Sequence, residues 1–545
     1  MQGLMMHMPL LISSVLQHAE RHHPSGEIVS RRTEGDIHRT NWGEVGKRAK
    51  KLANQLIADG VQPGENIATL AWNGYRHVEI YYAVSGMGAV VHTLNPRLFP
   101  EQLVYIINHA KDTTVFFDTT FAPLIKAIAP ACPTVKRWVQ LCDEAVMPAE
   151  PAVAGCLNYE AYIAKASDQY SWPELDENSA CGLCYTSGTT GNPKGALYSH
   201  RSTVLHAMAA CTPDALGISS RDTVLPVVPM FHVNAWGLPY IGAMVGAKMV
   251  MPGGALDGES IYKLMEAERV NISAGVPTVW LGLLNYVQQN GLKFSTFNRT
   301  VIGGSAAPPA MIKTLNSLGV EVIHAWGMTE LSPLGTVCRL KAKHLDMPLE
   351  SQQKVLEKQG VAIYGVDMKI VNDEGEELPW DGQAFGDLLV RGHWVVGGYF
   401  GGEGKNAFST DKDGKRWFST GDVSKIDPDG YMQITDRSKD VIKSGGEWIS
   451  SIDLENVAMG HPAVQEAAVI SAYHPKWDER PLLVVVKKPN ANVSREELLK
   501  YYDGKVAKWS IPDDVAFVEE LPHTATGKIQ KLKLREQFKD YKLPG

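Results

Sequence analysis

Eleven consecutive residues, Tyr185-Thr-Ser-Gly-Thr-Thr-Gly-Asn-Pro-Lys-Gly195, hold three glycines, five hydroxyl side chains counting Tyr185, and one lysine. Glycine lets a backbone bend so that several N–H groups point inward and form an anion nest. Thr186, Ser187, Thr189 and Thr190 add hydroxyl donors, and Lys194 adds a mobile positive charge. That combination suits a polyphosphate. A flexible surface turn is the plainer alternative, but so rich a run is rarely accidental. The pattern is not a Walker A loop, because no Ser or Thr follows the lysine and no helix starts there. Instead Ala180-Cys-Gly-Leu-Cys184 reads as a buried strand before the loop and Ala196-Leu-Tyr198 as a strand after it. Ser199 reads as the N-cap of a helix that begins near Arg201.

This stretch resembles the signature loop of the adenylate-forming superfamily, which includes acyl-CoA synthetases, adenylation domains of peptide synthetases, and beetle luciferases. Further motifs follow in that family's order, so the resemblance covers nearly the whole chain. It implies that Thr186, Ser187, Gly188, Thr189, Thr190 and Lys194 bind the nucleotide phosphates. Pro229-Met-Phe-His-Val-Asn-Ala-Trp-Gly237 sets a histidine and an indole in an apolar segment. The resemblance places His232 beside the substrate carboxylate, against the plainer reading of a hydrogen-bonded core histidine. Trp236 resembles the tryptophan that gates the acyl tunnel in fatty acyl-CoA synthetases, and reads equally well as a core aromatic.

Gly303-Gly-Ser-Ala-Ala-Pro308 follows the strand Thr300–Ile302. A turn without side chains lets a flat ring approach the backbone. In the family this turn, here Gly303, Gly304, Ser305 and Ala306, covers adenine and one wall of the acyl pocket; a plain strand-to-helix turn is the alternative. His324-Ala-Trp-Gly-Met-Thr-Glu330 departs from the usual family form, which has tyrosine where this chain has Trp326. Either ring can stack on adenine. The resemblance assigns His324, Ala325, Trp326, Gly327 and Met328 to the nucleotide and Thr329 to the α-phosphate. It makes Glu330, with Thr186, a ligand of the magnesium on ATP.

Thr420-Gly-Asp422 reads as the end of a strand after Trp417-Phe418, where a carboxylate can accept both ribose hydroxyls. Arg437 can reach the same ribose, and Ile434 lies beside it in the family's pattern; a structural salt bridge is the alternative for Arg437. Lys528, in Thr524-Ala-Thr-Gly-Lys-Ile529, resembles the lysine that bridges carboxylate and α-phosphate during adenylation. A cation is needed there because a carboxylate is a poor nucleophile toward a polyanionic phosphate. The resemblance makes Lys528, His232, Thr186 and Glu330 the catalytic set. For the second half-reaction the family swings its small domain. Lys439 occupies the hinge position, and Lys443, Ser444, Gly445, Gly446, Glu447 and Trp448 match the loop that then lines the pantetheine channel. Val276, Gly303, Gly327 and Pro333 join His232 and Trp236 in the implied acyl pocket.

Composition bounds these readings. A chain of 545 residues is too long for one core. A net charge of −7 argues against a general nucleic-acid binder. The seven cysteines are odd in number and scattered, which suggests reduced thiols in the cytoplasm. Cys181 and Cys184 form a lone C-x-x-C in an apolar strand pattern, better read as core than as zinc ligands. The N-terminus lacks basic residues before its apolar run and is not a secretory signal, and no run is long enough for a transmembrane segment.

The elements that must position these residues alternate strand and helix. Pro9 to His22, Trp42 to Asp59 and Tyr75 to Met87 read as helices; 66–72, 89–94, 113–117, 224–228 and 247–251 read as strands. This predicts parallel sheets with helical crossovers. Residues 132–173 read as an irregular connection. From Gly360 the texture changes to short strands joined by turns at Asn372–Gly375, Asp411–Gly414 and Asp427–Gly430. Later, 467–473 and 482–486 read as strands and 496–506 as a helix. The expected fold is α/β: a large N-terminal domain of two doubly wound α/β subdomains plus a small β-barrel-like part, residues 1–436, and a small mobile α/β lid, residues 437–545, hinged near 436–440.

The reading is an acid–CoA ligase. It takes ATP, Mg2+ and coenzyme A, and turns a small-molecule aliphatic carboxylic acid into acyl-AMP plus pyrophosphate, then acyl-CoA plus AMP. The Pro229–Tyr240 block and Ser444–Ser450 look closest to medium- and long-chain fatty acyl-CoA synthetases and to the related 3-methylmercaptopropionate ligases. A luciferase-like oxygenase, or a stand-alone adenylation enzyme loading another acceptor, shares the motifs. Relatives commonly form homodimers.

Overall fold

Three of the four sheets formed by the described residues carry the expected nucleotide and acid residues. The computed structural model describes residues 1–186, 192–444, 447–523 and 529–544, with the backbone alone of Glu447 and Trp448. The first sheet runs, edge to edge, 157–158, 137–141, 114–118, 66–70, 90–93, 180–185 and 195–199. All its pairings are parallel except the last, where Ala180–Tyr185 and Gly195–Ser199 form the antiparallel arms that flank the glycine loop. The second sheet has nine strands, ordered 361–362, 334–337, 321–327, 299–302, 272–275, 223–226, 248–251, 27–31 and 37–41. Its centre is parallel and both edges are antiparallel. Near-continuous apolar strands such as Thr114–Asp118 and Ile272–Gly275 are buried on both faces, as helices on each side require.

The small third sheet is antiparallel: 366–371, 385–392, 416–426 and 408–410, with 432–437 paired to 416–426. The turns at Asp411–Gly414 and Asp427–Gly430 join its neighbouring strands, with Gly414 and Gly430 at positive φ. The fourth sheet holds 447–449, 442–444, 478–487, 464–474 and 514–517, covered by the helices Ser451–Met459 and Lys531–Gln537.

Four local expectations are corrected. The first helix begins at Ile12 rather than Pro9, because Leu10 N donates to Glu177 and Ile12 N to His200, which ties the entering chain in an extended form. The segment 132–173 is not an irregular connection. It contains the sheet strand Arg137–Leu141, with Trp138, Val139 and Leu141 buried, and the helix Tyr159–Ala164. Its Pro- and acid-rich flanks mask that short apolar run. The helix expected over 496–506 is Arg495–Lys500, and Gly504 turns at φ +75. Thr420-Gly-Asp422 does not close a strand. Arg416–Ile426 runs straight through it, with Gly421 at φ +71 and the Thr420 hydroxyl donating to Leu388 O.

Candidate active site

The expected ribose and adenine residues meet at one corner. Asp422 is 2% exposed, and its two carboxylate oxygens already have protein partners. The Trp326 indole N–H donates to Oδ2 at 2.9 Å, and the Arg437 guanidinium lies 2.9 Å from Oδ1. The strand pairing sets this up, because Asp422 and Arg437 are direct cross-strand partners. A buried carboxylate held by two donors is costly to disturb and keeps one orientation. The Trp326 ring rests on Gly335, where a Cβ would come within 2.4 Å of it. Ile434 lies on the same strand as Arg437, with its N–H donating to Gln359.

His324 and the turn 303–307 form the next layer. The Ala307 N–H donates to His324 Nε2 at 3.2 Å. Burial lowers the His324 pKa to about 4, so the ring is neutral and can accept. The same turn also meets the expected acyl residues. A Cβ at Gly303 would lie 3.1 Å from Ala325 O and 3.2 Å from the Trp236 ring, and one at Gly304 would lie 3.1 Å from Val276. Gly303 therefore lies against Trp236 and Gly304 against Val276, while Ser305 is exposed and Ala306 half-buried. Gly327 and Pro333 are also neighbours: the Met328 N–H donates to Pro333 O, and any Cβ at Gly327 would collide with that carbonyl at 2.1 Å.

His232 and Trp236 are half-buried at the two ends of an unusual turn. Residues 233–237 all have positive φ. Left-handed backbone costs roughly 1–2 kcal/mol for each residue with a Cβ. Buried polar contacts offset this. Asn234 Oδ1 accepts from the Tyr81 hydroxyl at 3.2 Å, and the Ala235 N–H donates to Pro229 O. The sequence carries little sign of the turn, since only Asn234 and Gly237 favour it.

Glu330 follows on a short helical turn, 6% exposed. Its Oε1 accepts from the Tyr399 hydroxyl at 2.6 Å, and Tyr198 donates to Thr329 O at 2.7 Å. Burial, then Glu330, pushes the Tyr399 pKa upward, which keeps it a donor. Lys194 Nζ lies over the Tyr399 ring, 5.5 Å from its centre. The loop's arms meet where Thr186 N donates to Lys194 O at 2.9 Å. Tyr399 was not among the expected site residues; its signal is the glycine-rich run Gly397-Gly-Tyr-Phe-Gly-Gly402. The Tyr185 hydroxyl, counted above with the loop's donors, is turned to His109 instead.

Ser187, Gly188, Thr189, Thr190, Gly445, Gly446 and Lys528 lie outside the described residues, as do the side chains of Glu447 and Trp448. Around the expected hinge, Asp436 accepts from Ser451 N at 2.7 Å, Ser438 donates to Asp387 at 2.6 Å, and Asp440 pairs with Arg535 at 2.6 Å. Lys439 between them has its pKa lowered by burial. Lys443 is exposed with its N–H on Glu479, and the Ser444 hydroxyl accepts from Arg480.

Among the described residues no group of three or more His, Cys, Asp or Glu could hold a metal ion. A single buried carboxylate such as Glu330 fits an ion bound mainly through waters and phosphate oxygens, the habit of magnesium with nucleotides. No described helix is long and apolar enough to cross a membrane.

The family model described as AMP-binding enzyme matches residues 16–400, and that of the AMP-binding enzyme C-terminal domain matches 453–528. A 3-methylmercaptopropionyl-CoA ligase of Ruegeria lacuscaerulensis is 54% identical over 99% of both chains. A medium-chain-fatty-acid–CoA ligase of Ectopseudomonas oleovorans is 54% identical over 99% of this chain and 98% of its own. A long-chain-fatty-acid–CoA ligase of Thermus thermophilus is 47% identical over 94% and 93%. Among solved structures, ATP-bound MatB from Rhodopseudomonas palustris superposes with TM-score 0.81 at 25% identity over 98% of this chain and 100% of its own. An anthranilate CoA ligase holding anthranoyl-AMP shares the fold at TM-score 0.85, 24% identity and 98% coverage of both chains.

Proposed function

The chain belongs to the AMP-binding enzyme family, and from that premise we propose that it is an acid–CoA ligase for an aliphatic carboxylic acid. One observation carries the reading: the turn 303–307 sets Gly303 beside both the Trp236 ring and Ala325 O, sets Gly304 beside Val276, and is held by His324 through the Ala307 N–H. One backbone turn thus touches both the apolar residues and the residues expected at the nucleotide, and in this reading a carboxylate and an α-phosphate meet beside it. The full-length relatives at 54% identity, named for 3-methylmercaptopropionyl and medium-chain acyl substrates, support it.

In this reading a carboxylate oxygen attacks the α-phosphorus of ATP, and the bond to the bridging oxygen breaks as pyrophosphate leaves. The sulfur of CoA then attacks the acyl carbon, and AMP leaves. Asp422 and Arg437 orient the ribose, Trp326 and the 303–306 turn enclose adenine, and Thr329 meets the α-phosphate. Lys194 and the loop hold the leaving pyrophosphate. Glu330 and Thr186 would hold magnesium, which neutralises phosphate charge when bound. Lys528, brought by the lid beyond residue 436, bridges carboxylate and α-phosphate. Lys439 and the loop 443–448 serve the CoA step. The proposal includes a homodimer acting in the cytoplasm.

The acid is an aliphatic one, short to long, without a charged tail, because the wall made by Trp236, Val276 and Gly303 has no charged member. CoA-ester formation across C3 to C16 acids and 3-methylmercaptopropionate tests this, and a strong preference for an amino acid or an aromatic acid would overturn it. Lys528→Ala should slow pyrophosphate exchange into ATP by about 10²-fold or more; exchange at the parental rate would remove the adenylation role.

A further inference from the structure

Both arms of the glycine loop rest on a cluster of side chains that no motif accounts for. On one arm, the Tyr185 hydroxyl lies 2.6 Å from His109 Nδ1. His109 belongs to the helix Pro100–Ala110, stacks on Tyr105 at 5.3 Å and meets Phe400 edge-on at 5.6 Å. Its Nε2 faces Glu403 Oε1 at 3.8 Å. The Tyr105 hydroxyl lies 3.5 Å from that same oxygen and also reaches the Asn192 side chain. Glu403 Oε2 is buried without a hydrogen-bond partner among the described residues. One tautomer serves the whole cluster: a proton on Nε2 directed at the carboxylate leaves Nδ1 to accept from Tyr185.

On the other arm, the segment 399–404 packs against Gly195 and Lys194. A Cβ at Gly195 would come within 3.0 Å of Phe400 Cβ, and one at Gly404 within 3.4 Å of Lys194 Nζ. Tyr399, in the same segment, carries Lys194 on its face and holds Glu330 by its hydroxyl. A lysine on a flexible four-carbon stem has no position of its own. Here the 399–404 segment gives it one, and Glu403 ties that segment back to the opposite arm through His109.

We propose that His109 and Glu403 are positioning residues for the pyrophosphate end of ATP, acting through Tyr185 and Lys194. The inference rests on the adenylation reading above. Neither residue touches the reacting atoms, so the effect falls on the step in which pyrophosphate is present and spares the step after it has left. Losing one such hydrogen bond should raise KM for ATP, and for pyrophosphate in the exchange reaction, by about three- to tenfold.

The test uses the full chain with Tyr185→Phe, His109→Ala, His109→Asn and Glu403→Gln. Pyrophosphate exchange and thioester formation from added acyl-adenylate are measured separately, with the unfolding temperature of each variant. The expected result is a raised KM for ATP and pyrophosphate, with the thioester step within about twofold of wild type. His109→Asn, whose Oδ1 stands where Nδ1 stood, recovers part of the loss. Unchanged KM values, or an equal fall in both half-reactions, would overturn the proposal. Exchange by the wild-type chain tests the adenylation reading, and the ratio of variant to wild type tests this inference. Calorimetric titration with ATP gives the same ratio without turnover.

Discussion

The nucleotide corner and the acyl corner are built on opposite principles. At the first, position is set by hydrogen bonds to buried carboxylates: Asp422 between Trp326 and Arg437, and Glu330 under Tyr399. At the second, position is set by shape: a glycine backbone against an indole, and a run of five positive φ values from 233 to 237. Directional contacts to a buried carboxylate tolerate little substitution, because removing a donor leaves a charged oxygen buried and unpaired. Shape tolerates substitution at the cost of changing what fits. The recognition of a common nucleotide and of a variable acid are thus assigned to different physics within one site.

The largest effect should come from the charged corner. Glu330→Gln keeps the Tyr399 contact but removes the charge, and should lower adenylation by about 10²-fold with the order of preferred acids unchanged. A changed acid order would break the comparison. Gly303→Ala should do the reverse. Its new methyl meets the Trp236 ring at 3.2 Å, so the longest accepted acids should lose about tenfold against shorter ones, with KM for ATP held. Acid-series kinetics read this directly. Trp326→Phe keeps an aromatic surface and deletes the N–H to Asp422, and should cost about three- to tenfold in kcat/KM for ATP.

The smallest effect is on stability against pH. His324 and His77 are held near a pKa of about 4, and His206 near about 3, all by burial. Their unfolded values lie near about 6.5, so below that pH the unfolded chain binds more protons. Stability is therefore complete above that value and falls as pH drops toward the folded values. The denaturant midpoint should decline from about pH 7 to about pH 5, and His324→Gln should flatten that slope. A slope that His324→Gln leaves unchanged would contradict the neutral, accepting His324 on which the 303–307 turn depends.

How much was legible differs between the corners in the same way. The loop, the Glu330 motif and Asp422 stand out because their residue types are unusual at that density, and their chemistry is local. Tyr399 and His109 did not stand out, since the side-chain hydrogen bond of each reaches a residue at least 69 positions away. The left-handed turn was invisible because Val233, Ala235 and Trp236 have no intrinsic preference for it. The strand Arg137–Leu141 was hidden by its flanks, and only its pairing with Thr114–Asp118 makes it part of the sheet.

By itself the chain's order of residues determined the α/β alternation and a glycine-rich loop between two strands, because periodicity and residue chemistry are properties of short stretches. Tertiary structure alone decided which side chain answers which: that Trp326 serves Asp422 as a donor, that Gly303 is the floor for Trp236, and that Tyr185 turns toward His109. Those pairings join segments far apart in the chain that only the packing of strands, helices and sheets brings together, and no local pattern encodes a distance between them.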